Sequence, residues 1–318
     1  MGRITVLGRT FAGIAAAVRL ARVGHEVTLV DPAPGTDTLR AQLGDTLDFP
    51  APWRDLFKKS GRPAAGALGL HGLDLVPDPD GPPTDRGDVW YADVAALGEP
   101  AARQWRDLVD AADETWQAIR PLGLEAELTP DAVTRAGLHP RRSLEDVARG
   151  VKHPALADRV RAVATRLGLD PADTPAWFTA RLAVERTFGR WRLQGPAGAA
   201  PASGLVDVLE GRLDERGVRV TTDEAATADA DAVIDTRDPG VTWHRPSRWS
   251  RRDAFTAQLL ARPALRDATR PGWFHASASS PAGTEPWAQL LSGALATYAA
   301  HEHLTGEDIR PTNKALAR

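Results

Sequence analysis

The chain has 318 residues, with 39 Lys and Arg against 42 Asp and Glu, a formal net charge of -3 and a pI near 6.3. That balance argues against a nucleic-acid binder, which usually shows a basic field. The absence of cysteine excludes disulfides, thiolate metal sites and a cysteine nucleophile. No apolar run reaches the roughly 18–20 residues of a membrane span, and no signal-peptide layout is visible. The expectation is a cytoplasmic protein with no transmembrane segment; the oligomeric state stays open.

In chain order, residues 3–7 read as an apolar strand and 11–23 as a helix with Ile14, Val18 and Leu20 among its apolar positions. Gly24 stops that helix, and 26–30, rich in β-branched residues, is a second strand. Strand, helix and strand form one right-handed βαβ unit. Residues 32–84 are rich in Gly, Pro and Asp and read as loops with one short helix near 53–60.

From 91 to 188 the pattern is helical. Residues 99–120 place Trp105, Leu108, Val109, Ala112, Trp116 and Ile119 at helix spacing, and Ser143 with Asp146 forms a capping box opening 143–150. Helices follow at 153–167 and 173–188, with Pro154 and Pro175 suited to their first turns. Then 204–216 is a helix, while 217–221, 231–235 and 272–276 are strands. A long apolar helix spans 285–303. The fold class is therefore α/β: a discontinuous Rossmann-like dinucleotide-binding domain (1–84 and 200–318) with a helical insertion (85–199).

The turn after the first strand reads G-R-T-F-A-G, from Gly8 to Gly13. In a dinucleotide unit the first glycine permits the tight turn, the second lets the backbone approach the pyrophosphate, and the third lets the helix pack on the sheet. Gly8 and Gly13 meet the first and third needs. Thr10 stands at the second, where its branched side chain intrudes. Its hydroxyl is a candidate donor to a phosphate oxygen, and Arg9 adds positive charge beside the helix N-terminus. Asp31 closes the second strand, where an acid can bond a ribose hydroxyl. That carboxylate disfavours NADP relative to NAD or FAD.

Several segments together resemble one family. FPAPWRDLFKKSGRP (49–63) is similar to the stretch before the insertion in phytoene-desaturase-like and amine-oxidase-like flavoproteins. RLGLDPADTPAWFTARLAVERTFGRWRLQGPAG (166–198) resembles their helical stretch running into a G-x-W-x-x-x-G-G turn. ADADAVIDTRDP (228–239) resembles their A-D-x-V-V strand, and PGWFHASASSPAGTEPWAQLLSGALA (271–296) their closing strand, turn and helix. The resemblance implies FAD lying across the sheet and a substrate domain for a carotenoid-like or amine-like molecule. It implies that Gly8, Arg9, Thr10, Gly13 and Asp31 hold the ADP part, and that Ser277 meets the flavin.

The chain departs from that pattern at six points. Thr10 replaces the middle glycine, and Asp31 stands where glutamate is usual. P-G-T-D-T-L-R (34–40) replaces a G-G-R turn, and Ser277 replaces a closing glycine. Pro196 breaks a glycine pair, and 220–230 lacks the strands that normally precede the DAVID segment. Two functions follow as expectations. One is an FAD-dependent or NAD-binding oxidoreductase of the phytoene desaturase group, acting on an apolar small molecule. The alternative is a non-catalytic Rossmann-fold binding or scaffold protein that has lost tight FAD binding.

Other constellations are weaker. His301 and His303, two apart on a helix, do not share a face, and no metal site is expected. His275 ends a strand at the cofactor side; a histidine satisfied by backbone is the plainer reading. Ser277, Ser279 and Ser280 form a polar turn, either a phosphate contact or a helix entry. Trp105, Trp116, Trp177 and Trp191 are core residues or the lining of an apolar cleft, core being favoured. Trp243 and Trp249 flank a basic run, read as a solvated loop. No catalytic residue is nominated.

Overall fold

A computed structural model describes residues 1–32, 36–47, 49–79, 94–120, 142–237, 264–276 and 285–311. Its centre is a parallel five-stranded sheet. The strands are β1 (Arg3–Leu7), β2 (Glu26–Val30), β6 (Arg219–Thr221), β7 (Ala232–Asp235) and β8 (Trp273–His275), in the spatial order β6-β2-β1-β7-β8. The order runs outward in both directions from β1, so the topological switch point falls between β1 and β7, where such sheets place their ligand crevice. The near-continuous apolar runs RITVL and AVID are what a strand covered on both faces requires.

Helix α1 (Phe11–Arg22) crosses from β1 to β2 and is buried on all sides over Phe11–Leu20. A helix with no polar face must be covered on both sides. The sheet covers one side and α10 (Pro286–Thr305) the other. At their closest approach, a Cβ placed on Gly293 would lie less than 3.0 Å from the backbone of Ala12, so only glycine permits this packing.

The segment read as loop contains more structure than expected. It holds α2 (Asp37–Ala41), α3 (Pro50–Lys59), α4 (Ala64–Gly69) and strand β3 (Asp74–Pro77). β3 pairs antiparallel with β4 (Trp191–Gly195), which pairs with β5 (Gly198–Ala200). The stretch Q-G-P-A-G is thus a β-hairpin: Gly195 pairs with Gly198, and Pro196 and Ala197 make the turn. β3 is short and half-exposed, and its partner lies more than a hundred residues away, so its own sequence carries little strand signal.

The helical block holds α5 (Glu99–Ile119), α6 (Leu144–Gly150), α7 (Pro154–Thr165) and α8 (Ala180–Phe188). In α5, Ala101, Trp105, Val109, Ala112, Trp116 and Ile119 form the buried stripe. The capping box is present: Ser143 Oγ accepts from Asp146 N–H, and the Asp146 carboxylate accepts from Ser143 N–H. The stretch expected as one helix over 173–188 begins as a 3-10 turn (Ala176–Thr179) after extended Pro175, and becomes α-helical at Ala180. α9 (Gly204–Glu215) precedes β6, and a single 3-10 turn (Glu224–Thr227) joins β6 to β7. Among the described residues no helix is long and apolar enough to cross a membrane.

Candidate functional site

The carboxyl ends of β1, β2 and β7 bring Gly8, Arg9, Thr10, Gly13 and Asp31 together with three residues that the sequence reading did not single out, Glu210, Thr236 and Arg237. Gly8 has φ of 97°, a conformation that favours glycine, and its N–H donates to Val30 O at 2.9 Å. A Cβ on Gly13 would lie less than 3.0 Å from Gly8 O. The turn therefore keeps the backbone geometry for which its first and third glycines are needed.

Thr10 is the N-cap of α1, extended at φ -104° and ψ 169°. Its Oγ accepts from Gly13 N–H at 3.0 Å and donates to Thr236 Oγ at 2.9 Å. Thr236 is fully buried, and its single hydroxyl proton is shared between Leu7 O and Gly8 O, each 2.9 Å from Oγ. A chain of hydroxyls thus locks the end of β7 under the turn. The Thr10 hydroxyl, a candidate phosphate donor from sequence, is engaged on both sides inside the protein.

Arg9 is similarly engaged. Its guanidinium donates to Asp31 Oδ2 at 3.3 Å and holds both carboxylate oxygens of Glu210 on α9. The side chains of Arg9 and Asp31 are 15% and 7% exposed, so the pair is largely out of water. Burial opposes the charge on Arg9, but hydrogen bonds and attraction from Glu210 and Asp31 outweigh it and hold the guanidinium above its ordinary pKa. α9 makes a second clasp one turn earlier, where Asp207 and Ser203 O accept from Arg40. Arg40, in the segment that replaces the G-G-R turn, thus faces an acid of its own chain.

On the other side of the switch point Arg237 lies over Gly8, its Cγ 3.0 Å from where a Cβ of Gly8 would sit. It donates to both oxygens of Asp235 and to Glu224 at 3.1 Å. Burial pushes the Asp235 carboxyl up, yet the hydrogen bonds and charge of Arg237 bring it below the usual carboxylate range. The two clusters share one composition, a single guanidinium between two carboxylates. Glu210 lay beyond sequence reasoning. T-R after the DAVID strand was the only local trace of Thr236 and Arg237.

His275 ends β8 with Nε2 3.3 Å from Asp267 Oδ2, so its side-chain partner is a carboxylate, not the backbone. His301 and His303 diverge as their spacing requires: His301 meets His25, and His303 packs on Phe274. Trp105, Trp116 and Trp177 are buried, while Trp191 is half-buried under the Arg54 guanidinium, 4.4 Å away. Ser277, Ser279, Ser280, Trp243 and Trp249 lie outside the described residues.

No protein-family profile matches the chain, and no curated protein sequence matches it significantly. Among solved structures it is similar to an oxidoreductase from Methanosarcina mazei, at 14% identity and a TM-score of 0.45. It is also similar to a protein from Pyrococcus furiosus, at 14% identity and a TM-score of 0.42. In both cases the match covers 74% of this chain and 59% of the other, so the chain spans under two thirds of either. A third likeness is to a Rab GDI from Plasmodium falciparum, at 7% identity and a TM-score of 0.39, over 98% of this chain and 99% of that one. Likenesses of this size carry no functional assignment.

Proposed function

We propose that this protein keeps a dinucleotide-type fold as the frame of a non-redox binding protein and does not hold FAD or NAD tightly. The observation that carries the reading is Arg9 bridging Asp31 and Glu210. The carboxylate that would bond a ribose already has a partner from its own chain. A ribose hydroxyl reaching Asp31 would compete with a charge-assisted hydrogen bond that the folded chain already makes, from a guanidinium fixed on its other side by Glu210. An incoming pyrophosphate would also meet carboxylates in excess on both sides of the switch point, a like-charge arrangement that opposes binding. The hydroxyl of Thr10 and the side chain of Arg237 over Gly8 reinforce this closure.

A second reading has one specific support. The backbone of the turn, with Gly8 at φ 97° and Gly13 against Gly8 O, is that of a nucleotide-binding turn. On this reading the chain is an FAD-dependent oxidoreductase of the phytoene-desaturase kind, acting on an apolar small molecule.

Protein purified from cells supplied with riboflavin decides between them. The visible spectrum, mass spectrometry of any released small molecule, and calorimetric titration with FAD and NAD are the readouts. A colourless protein that gives no heat with either nucleotide is the expected result. Stoichiometric flavin would overturn the binding-protein reading in favour of the flavoenzyme.

A further inference from the structure

A charged patch lies at the opposite end of the sheet from the crevice. α1 starts beside the carboxyl end of β1 and runs back to the amino end of β2, so Arg22 in its last turn stands away from the switch point. α9 runs back likewise, and Arg212 and Arg216 lie at its end. α3 ends at the same place in K-K-S-G-R, residues 58–62. Arg62 donates to Glu215 Oε1 at 2.9 Å, and Arg212 donates to the other oxygen of Glu215 and to Ser60 O. Gly61, at φ 98°, has no side chain to fill the space beside them. A Cβ there would lie 2.7 Å from Arg216 Nη2 and 2.9 Å from Arg22 Nε. Three helix ends thus gather four guanidiniums round one carboxylate.

That carboxylate does not balance them. Both its oxygens are taken by Arg62 and Arg212. Arg216 approaches it only at 3.8 Å, beyond a hydrogen bond. Nε of Arg216 and Nε of Arg62 are buried with no partner among the described residues. Arg22 is exposed and has no hydrogen bond or ion pair among the described residues. Burial first, then repulsion from Arg212, with Arg22 and Arg62 adding to it, holds Arg216 below its ordinary pKa. The helix ends do not cancel this charge, because their last carbonyls already accept from the turns that follow. Phe57 O accepts from Arg62 N–H, and Leu213 O from Val218 N–H. Like charges held this close oppose one another, and an anion between them relieves that repulsion.

We propose that Arg22, Arg62 and Arg216 bind a phosphate monoester group. A carboxylate offers two oxygens, and Glu215 already fills that place. A phosphate dianion offers three, one toward each guanidinium fork. The site uses no residue of the crevice, so it goes beyond the proposed function and stands whichever way flavin binding turns out. Soluble phosphate esters and phosphatidic acid headgroups share this chemistry.

The test is thermal unfolding of the full chain while chloride is exchanged for inorganic phosphate or glycerol 3-phosphate at constant ionic strength. A ligand that binds only the folded chain raises its midpoint. Saturable stabilisation by both phosphates is expected. Arg22→Ala should weaken the apparent affinity about tenfold or more. Its own midpoint in chloride should stay the same or rise, because Arg22 has no partner to lose. Arg103→Ala, on α5 and outside the patch, should respond to phosphate as the parent does. No saturable stabilisation, or an undiminished response in Arg22→Ala, would overturn the site. A second readout uses the wild-type chain, modified at arginine by phenylglyoxal and mapped by peptide. Phosphate should slow labelling of Arg22 and Arg216, and unchanged rates at both would overturn the site. Sedimentation with vesicles containing phosphatidic acid, but not with phosphatidylcholine alone, assigns the group to a lipid headgroup. Glycerol 3-phosphate binding without sedimentation assigns it to a soluble ester.

Discussion

The guanidinium of Arg9 stands 3.3 Å from the carboxylate of Asp31 and at the same time holds Glu210, 201 residues further along the chain. Replacing Arg9 by Ala leaves two carboxylates facing each other with little water. The expected loss is about 3 kcal/mol of stability, read as a lower urea midpoint at unchanged slope. Adding Glu210→Gln should restore part of it, because the two substitutions touch one network. A variant Arg9→Ala as stable as the parent would mean that the bridge does not form in solution.

Thr10→Gly restores the glycine that a phosphate-binding turn normally has, and so separates two explanations for missing flavin. The Thr10 side chain is one obstacle; the Arg9 bridge and the excess of carboxylates are others. We expect no gain of FAD binding in this variant. Stability should fall by about 1–2 kcal/mol, since the cap and the bond to Thr236 are both lost. Flavin uptake on this single change would show that the threonine alone had closed the site.

Gly293→Ala tests the contact between α10 and α1. The added methyl meets the backbone of Ala12, which cannot rotate away, so overpacking should cost about 1–3 kcal/mol or more. Gly150→Ala is the control: it ends α6, and nothing lies within 4 Å of its Cβ position. The control should be neutral or slightly stabilising. Melting temperatures of the two variants measure the difference, and similar values would argue against the close helix approach.

His25 and His301 are both buried, with Nε2 of one 2.9 Å from Nδ1 of the other. Gly2 N–H donates to His25 Nδ1, so in the neutral state His25 carries its proton on Nε2 and donates to His301. Desolvation first, then repulsion from His301, lowers the His25 pKa below its ordinary value of 6.5. The unfolded chain therefore takes up this proton before the folded one as pH falls. This term favours unfolding progressively below about pH 6.5, down to the depressed folded value, and is absent well above it. Denaturant melts between pH 7 and 5 should show stability falling on the acid side, with a shallower fall in His25→Asn. Equal slopes in the two proteins would remove His25 as a cause.

The βαβ unit was legible because its signals are local. The strands are apolar runs, α1 is capped by Thr10 and stopped at Gly24, and Gly8 adopts the positive φ for which its residue type is suited. The capping box of Ser143 and Asp146 was visible for the same reason, its partners being three residues apart. The β3–β4 pairing was not visible: β3 has no buried face to impose a period, and its partner comes after the whole helical block. The stretch Q-G-P-A-G looked like a broken glycine pair until the register of β4 and β5 made it a hairpin.

From its sequence alone this protein was bound to form a parallel sheet with a glycine turn at the end of β1, because backbone sterics and apolar periodicity act between near neighbours. What faces that turn was decided by tertiary structure. Arg9, Asp31, Glu210, Thr236 and Arg237 are polar residues whose types fit many surroundings. Only the folded chain, bringing α9 and the end of β7 beside the turn, pairs their charges and hydroxyls with one another.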